Sequence, residues 1–272
     1  MMELEEISSL QLEFQWLLNE EVNVILSQLK QLILECSRRF SYEVEGFTSL
    51  IKAEKFALMS TNASHADKLK IFATIMADDI TAADINIRLP KHTASSLRFF
   101  IQNDCQWKLH QIQDAANHLA AALSLLSSPP PPLRFVESEN KFDFRSAEEV
   151  IQMINNIMSY LQKGRNSLIV PKTKTIDELR NSRNTKALQP SIPNDLAVSF
   201  YIQSHKLVCA IYHQIKDAHG NLKLDMYQAE ASIPWLSEVL VLFTVALQFC
   251  QQLKDKVSVF AQYKQMQVKA MP

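Results

Sequence analysis

Glycine is nearly absent from this 272-residue chain: Gly46, Gly164 and Gly220 are the only three. A loop that cradles phosphate needs clustered glycines, so that backbone N–H groups can approach the ligand. Three isolated ones exclude a Rossmann or P-loop nucleotide site. Cysteine is almost as sparse. Cys36, Cys105, Cys209 and Cys250 stand far apart, form no CxxC or Cys/His cluster, and each lies in an apolar periodic segment. Free cysteine in such a setting behaves as a small hydrophobe, and this usage points to a reducing compartment. A surplus of either charge is also missing. With 28 Lys and Arg against 29 Asp and Glu, net charge −1 and pI near 6.7, nothing here neutralises a phosphate backbone. Nucleic acid is therefore not an expected partner. The opening MMELEEISSL is acidic and lacks a basic stretch followed by an apolar one. Neither a secretory signal nor an Arg-rich transit peptide is expected, and the chain reads as cytoplasmic.

What is present is long helical periodicity. In 10–40, Leu18, Val22, Ile25, Leu29, Leu32 and Cys36 step by alternating fours and threes and predict one apolar stripe. Across 104–126, Cys105, Leu109, Ile112, Ala116, Leu119, Leu123 and Leu126 do the same, and the proline run at 129–132 ends the helix. A third helix is expected from Ser146, with Glu149 completing a capping box and Val150, Ile154, Ile157, Leu161 and Leu168 on its stripe. A fourth opens at Pro234, where a missing N–H costs least.

Between the helices the period changes to two. Phe56 and Leu58, then Leu69, Ile71, Ala73 and Ile75, then Ile85, Ile87 and Leu89, then Leu97, Phe99 and Ile101 alternate with more polar neighbours. A second strand group holds Val198, Phe200 and Ile202, then Leu207, Cys209 and Ile211 after a tight turn at Ser204-His205. Leu222, Leu224 and Met226 follow a turn at His219-Gly220. Alternation of this kind predicts antiparallel strands. The expected class is α+β: an antiparallel four-helix bundle plus an antiparallel β-sheet module, each built from non-contiguous segments. The bundle takes 10–40 with 104–168 and 233–264, the β module 53–103 with 196–232, and 169–195 is a connector.

The segment from Ile233 to Tyr263 admits three readings: a membrane span, a dimerising leucine zipper, or a core helix of the bundle. Ser237, Thr244, Gln248, Gln251, Asp255, Ser258 and Gln262 share one heptad stripe, interrupted by Val241. One polar stripe on an apolar helix predicts burial on three sides with one edge wet, against a span. A step from Cys250 to Leu253 to Val257 reads as a phase slip that an intramolecular core tolerates and a zipper does not.

No constellation carries catalysis, a cofactor or a metal. His110 and His118 share a helix but lie eight residues apart, too far for an i, i+4 ligand pair, and both are placed on its wet face. His205 and His219 fall in turns and His213 at a strand end. Asp78, Asp79 and Asp84 lack the spacing and glycine of a calcium loop. No nucleophile-elbow sequence accompanies any Ser–His–Asp combination. Trp16, Trp107 and Trp235 sit at helix starts, where stapling the entry to the core is expected ahead of anchoring a partner. The partner-binding residues are not marked by any motif, and the proline run reads as a spacer.

Three segments carry a family resemblance: FQWLLNEEVNVILSQLKQLI (14–33), QWKLHQIQDAANHL (106–119) and IPWLSEVLVLFTVALQFCQQLKDKVSVF (233–260). Their order, their spacing and the strings WKLxQIQDA and CQQLKDK resemble the Rogdi leucine-zipper family, over about a quarter of the chain. The turn at His219-Gly220 is tighter than the family pattern, which often carries an insertion there. The resemblance implies a non-enzymatic adaptor without cofactors, similar to the small subunit of the RAVE complex that promotes V-ATPase assembly and vesicle acidification. It further implies partnership with rabconnectin-type propeller scaffolds and V-ATPase sectors. Membrane contact would be peripheral, through those partners, at endosomes and synaptic vesicles, and the chain would be monomeric alone. The alternative is a self-associating zipper protein in nuclear or signalling regulation, located in the nucleus or at its envelope.

Overall fold

A computed structural model describes residues 2–40, 52–62, 68–89, 96–102, 105–131, 133–136, 139, 141–216 and 222–270, with side chains from Ser9 to Gln262 except Lys216. The turn expected at His219-Gly220, together with Gly46 and Pro132, lies outside the described residues. The protein is mixed α and β with an antiparallel sheet. It divides into two compact units: Met1–Arg39, Ala116–Arg165 and Val241–Pro272 form a helical unit, and Phe40–Ala115 with Asn166–Leu240 form a sheet unit.

The first helical stretch is α1 (Met2–Trp16), a π-helical turn (Leu17–Glu21) and α2 (Val22–Arg38). Its buried apolar positions are Leu17, Leu18, Val22, Leu26, Leu29, Ile33 and Cys36. Leu26 and Ile33 thus replace the expected Ile25 and Leu32, which are half-buried. Where Ile25-Leu26 and Leu32-Ile33 are both apolar, periodicity alone cannot choose between neighbours. Asn23 is buried in this unit, and its amide grips the short hairpin of β6 (Arg134–Val136) and β7 (Lys141–Asp143). Its Nδ2 donates to the Phe142 carbonyl at 3.0 Å and its Oδ1 accepts from the Phe142 N–H at 2.7 Å.

Helices α3 (His110–Ser127), α4 (Ala147–Ile169) and α6 (Pro234–Ala270) each contribute a segment to the helical unit. At the start of α4 the Ser146 hydroxyl accepts from the Glu149 N–H, while the Glu149 carboxylate accepts from the Arg145 N–H rather than from Ser146. Gly164 of α4 lies where a Cβ would stand 2.9 Å from Phe243 Cζ and 3.3 Å from His118 Cβ. Gly164→Ala should therefore destabilise the protein by about 1–2 kcal/mol. Overpacking against the buried Phe243 ring costs about 1–3 kcal/mol, and replacing a helical glycine returns about 0.5–1. Chemical denaturation measures the difference, and a stabilised variant would show that the ring yields freely.

Leu236, Val239, Phe243, Ala246, Cys250, Leu253 and Val257 of α6 are buried, an unbroken 3-4 heptad seam. The phase slip read at 250–257 is therefore a regular continuation of that seam. Burial on three sides is also corrected. Only 33% of the most apolar window is buried, and Val241 and Val259 are exposed. By length and composition Pro234–Gln262 is long and apolar enough to cross a membrane. The polar stripe at Ser237, Thr244, Gln248, Gln251 and Asp255 faces solvent as expected.

In the sheet unit, β1 (Glu54–Ser60), β2 (Leu69–Met76), β3 (Asp79–Ile87), β4 (Leu97–Ile101), β5 (Trp107–Lys108), β8 (Leu188–Gln189), β9 (Leu196–Gln203), β10 (Lys206–Lys216) and β11 (Leu222–Ser232) form one antiparallel sheet. The order is β8-β4-β3-β2-β1-β11-β10-β9, with β5 beside β3. Leu69, Ile71, Ala73 and Ile75 are buried and alternate with more exposed residues. β10 is instead buried on both faces from Leu207 to Ile211, which its continuous apolar run LVCAI allows.

One strand expectation and one helix expectation are corrected. Leu222, Leu224 and Met226 are exposed, because pairing with β10 turns Tyr227 and Ala229 onto the same face as Ile211 and Cys209. Trp107 and Cys105 precede α3 instead of opening it. Trp107 pairs with Ile80 in β5, and its ring meets Phe200 edge-on at 5.3 Å. Residues 169–195 contain α5 (Ile176–Arg180), capped by a Thr175–Glu178 capping box, a 3₁₀ turn (Asn184–Ala187) and β8, which pairs with β4.

Candidate functional site

The sheet unit carries two features that could serve a partner: a cavity at the β9 edge and an apolar outer face. The cavity arises from how β9 is terminated. A two-residue turn at Ser204-His205 makes Gln203 and Lys206 the first cross-strand pair. Alternate residues Leu196, Val198, Phe200 and Ile202 consequently direct their backbone groups away from β10.

Such an edge is a template for unwanted pairing unless it is covered. Here side chains cover it. Gln111 of α3 accepts from the Ile202 N–H at 2.7 Å and donates to the Ile202 carbonyl at 2.7 Å and to the Ser167 carbonyl at 2.9 Å. Arg180 Nε donates to the Leu196 carbonyl at 3.3 Å, and its Nη2 donates to Gln214 Oε1 at 2.6 Å. Asn184 does for β5 what Gln111 does for β9: its Nδ2 donates to the Lys108 carbonyl and its Oδ1 accepts from the Lys108 N–H. Amides that bind both backbone groups of one strand residue recur at Asn23, Gln111 and Asn184. Sequence reasoning missed them, because an isolated Asn or Gln in an amphipathic segment looks like an ordinary polar position.

Between these clamps lies a cavity of about 280 Å³. Trp107, Phe200, Tyr201 and Tyr212 give it aromatic walls, and Pro171, Lys172, Thr173 and Lys174 line it from the segment after α4. Burial raises the Tyr201 and Tyr212 hydroxyls above the usual phenol range, so both stay protonated at neutral pH. Lys108, on the same wall, sits between two carboxylates, with Nζ 2.8 Å from Asp78 and 3.3 Å from Asp79. Burial opposes its charge, but the hydrogen bonds and attraction of both acids outweigh this and raise its pKa. Asp79 is raised in turn, first by burial and then by Asp78, with Lys108 opposing. The acid pair weighed as a cation site thus holds a lysine. Asp84 points elsewhere, in a two-pronged pair with Arg98.

The outer face is formed by side chains that alternate with the core set. Met59 of β1, Phe72 and Met76 of β2, and Leu222, Leu224 and Met226 of β11 are all exposed. Surface apolar residues are ordinary singly, and six large ones on three strands of one sheet are less so.

The remaining residues singled out from sequence are dispersed. His110 is exposed, His118 tilts against Tyr160 at 6.3 Å, and His205 occupies its expected turn. His213 is buried inside β10 rather than at a strand end, with Nε2 3.4 Å from Asp195 Oδ2. Trp235 does staple a helix entry, meeting Phe40 edge-on at 5.8 Å, whereas Trp16 is exposed. Among the described residues no group of three His, Cys, Asp or Glu side chains is placed to hold a metal ion.

Burial pushes the thiols of Cys36 and Cys250 up to about 12 and that of Cys209 higher still. Only Cys105 is partly accessible. A disulfide-exchange reagent at mildly alkaline pH should therefore label one of the four thiols in the native protein and all four after denaturation.

Fold and surfaces define an α+β protein with an amide-capped antiparallel sheet, an aromatic cavity and an apolar sheet face. The family profile described as "Rogdi leucine zipper containing protein" matches residues 13–221. Protein rogdi of Drosophila melanogaster is 45% identical over 98% of this chain and 94% of its own length. The protein rogdi homologs of Danio rerio and Homo sapiens are 37% and 34% identical, each over 95% of this chain, with 95% and 94% of their own lengths covered. The chain belongs to the Rogdi family. None of these names denotes an enzyme.

Proposed function

We propose that the chain is a non-enzymatic adaptor in a RAVE-type complex that promotes V-ATPase assembly and vesicle acidification. The observation that carries this reading is family membership along nearly the whole chain, with 45% identity to a rogdi protein over 98% of its length. The surfaces described above support the adaptor part. An adaptor works by presenting surfaces to larger partners, and the exposed Phe72, Leu224 and Met226 offer one. The partners we infer are rabconnectin-type propeller scaffolds and V-ATPase sectors. The helical unit, read as an antiparallel four-helix bundle, would be the rigid rod between them. Its place would be the cytoplasm, at endosomal and synaptic-vesicle membranes through those partners.

The self-associating zipper is less well supported. A zipper needs a free heptad seam, and the seam of α6 is buried within the chain itself. Affinity purification of the tagged full chain tests the proposal. Scaffold and V-ATPase sector subunits should co-purify at stoichiometric levels, and their absence would remove the assignment.

A further inference from the structure

Charge on the outer face of β1 to β4 is almost all of one sign. Alternation along the strands puts Lys55, Lys70, Phe72, Asp84 and Arg98 opposite the buried set. The Arg88 N–H donates to the Lys68 carbonyl at 2.7 Å, which extends the β2–β3 register by one pair and sets Lys68 directly across from Arg88 on the same face. Lys55, Lys68, Lys70, Arg88 and Arg98 thus share this stretch with a single acid, Asp84. Arg98 engages that acid in the two-pronged pair already described. The nearest acids beyond it are also held, Asp79 by Lys108 and Glu230 of β11 by Lys206. Lys68, Lys70 and Arg88 form no ion pair among the described residues, and Lys70 and Arg88 are exposed.

Like charges directly opposite each other across a ladder destabilise a sheet. Lys68 faces Arg88 in one row, and Lys70 and Arg98 flank Asn86 in the next, so four cations gather on three strands. Apolar surface adjoins them. Met59 is 77% exposed and Phe72 45%, with Lys70 two residues before Phe72 on its strand and Lys55 over the Phe72 ring at 5.4 Å. An apolar patch between cations selects an occupant that brings carboxylates on either side of an apolar group. A nucleic acid is a poorer match, because Lys55 covers the ring face on which a base would stack. So is a bilayer, because Met59 and Phe72 lie in paired strands rather than on a helix that could rest in a membrane interface.

We propose that the outer face of β1 to β4 docks an acidic segment of a partner protein. Its carboxylates meet Lys68, Lys70 and Arg88 at one end and Lys55 at the other, and an intervening apolar side chain rests on Phe72 and Met59. Complementary charge of this kind steers the encounter and fixes register, and the apolar centre supplies the hold. The inference rests on the chain being an adaptor and does not depend on which assembly it serves.

The test is selection of random twelve-residue peptides, displayed on phage, against the full-length protein, followed by fluorescence anisotropy of an enriched peptide at low and high salt. Enrichment of Asp and Glu beside an aromatic or aliphatic residue is expected, with affinity that falls as salt rises. Lys70→Glu combined with Arg88→Glu should weaken the peptide about tenfold or more, and Phe72→Ser about tenfold. Lys70→Arg combined with Arg88→Lys should stay near wild type, as should Lys186→Glu on the 3₁₀ turn. All four side chains are exposed, which makes these substitutions compatible with folding. No enrichment, enrichment without acidic residues, or binding unchanged in the charge-reversed protein overturns the proposal. Sedimentation with phosphatidylserine-containing vesicles that is lost in the same double variant also overturns it, by assigning the cations to a lipid surface. Peptide binding that persists while V-ATPase subunits fail to co-purify would remove the assembly assignment and leave the site.

Discussion

Gln111→Leu should cost the sheet unit about 3–5 kcal/mol and lower its melting temperature by roughly 10 °C. Leucine preserves most of the volume of the buried glutamine and the apolar contacts of its stem. It removes the partner of the Ile202 N–H and of the Ile202 carbonyl, both bonded at 2.7 Å, and one bond to the Ser167 carbonyl. A buried backbone group left without a partner costs about 1–3 kcal/mol, more than a hydrogen bond contributes net, because its desolvation is no longer offset. Ile202 itself is fully buried, so water cannot take over without opening the edge. Gln111→Glu separates this mechanism from loss of packing. It keeps the shape and an acceptor for the Ile202 N–H, but sets carboxylate oxygens against two carbonyls, so it should be no better than leucine. The measurement is urea denaturation, with amide exchange at Ile202 as the local readout. A loss below about 1 kcal/mol would show that solvent caps the edge adequately.

Asn23→Leu should act in the same way in the helical unit, at about 2–4 kcal/mol. The Phe142 N–H and carbonyl lose their partner, since Asn23 supplies both contacts. The outcome should differ in kind from that of Gln111. Strands β6 and β7 hold each other, and Phe142 is further held by Phe135 at 4.9 Å and Phe144 at 5.5 Å. The hairpin should therefore loosen locally, with lost exchange protection at Phe142 and a broadened transition, before the helices unfold. Cooperative loss of the whole helical unit would mean that the hairpin is integral to that core.

The difference between these two substitutions and a surface change was not legible in the sequence. Periodicity exposed the helices and most strands, because a helical stripe and a strand face are repeated signals. Val150, Ile154, Ile157, Leu161 and Leu168 of α4 are all buried as the pattern requires, and so are Leu69, Ile71, Ala73 and Ile75 of β2. Where two apolar residues stand side by side, the pattern lost its phase. Ile25 and Leu26 are one such pair, and Leu26 is the one the core takes. Leu222, Leu224 and Met226 of β11 alternated as a core strand should, yet register with β10 turned them outward. The candidate site was less legible still. Its parts come from α3, the segment after α4, β5, β9 and β10, and only the fold brings Trp107, Lys174 and Tyr201 to one cavity. That juxtaposition has no trace in the order of residues along the chain.

The family resemblance in three segments extends along the chain, which makes the functional reading testable in a cell as well as in a tube. The most direct measurement of the central claim is the fraction of the peripheral V-ATPase sector bound to vesicle membranes, with lumenal pH read in parallel, before and after depletion of this protein. The adaptor account predicts that the bound fraction falls, that acidification slows, and that re-expression of the full chain restores both. Unchanged sector association and unchanged acidification after complete depletion would contradict it.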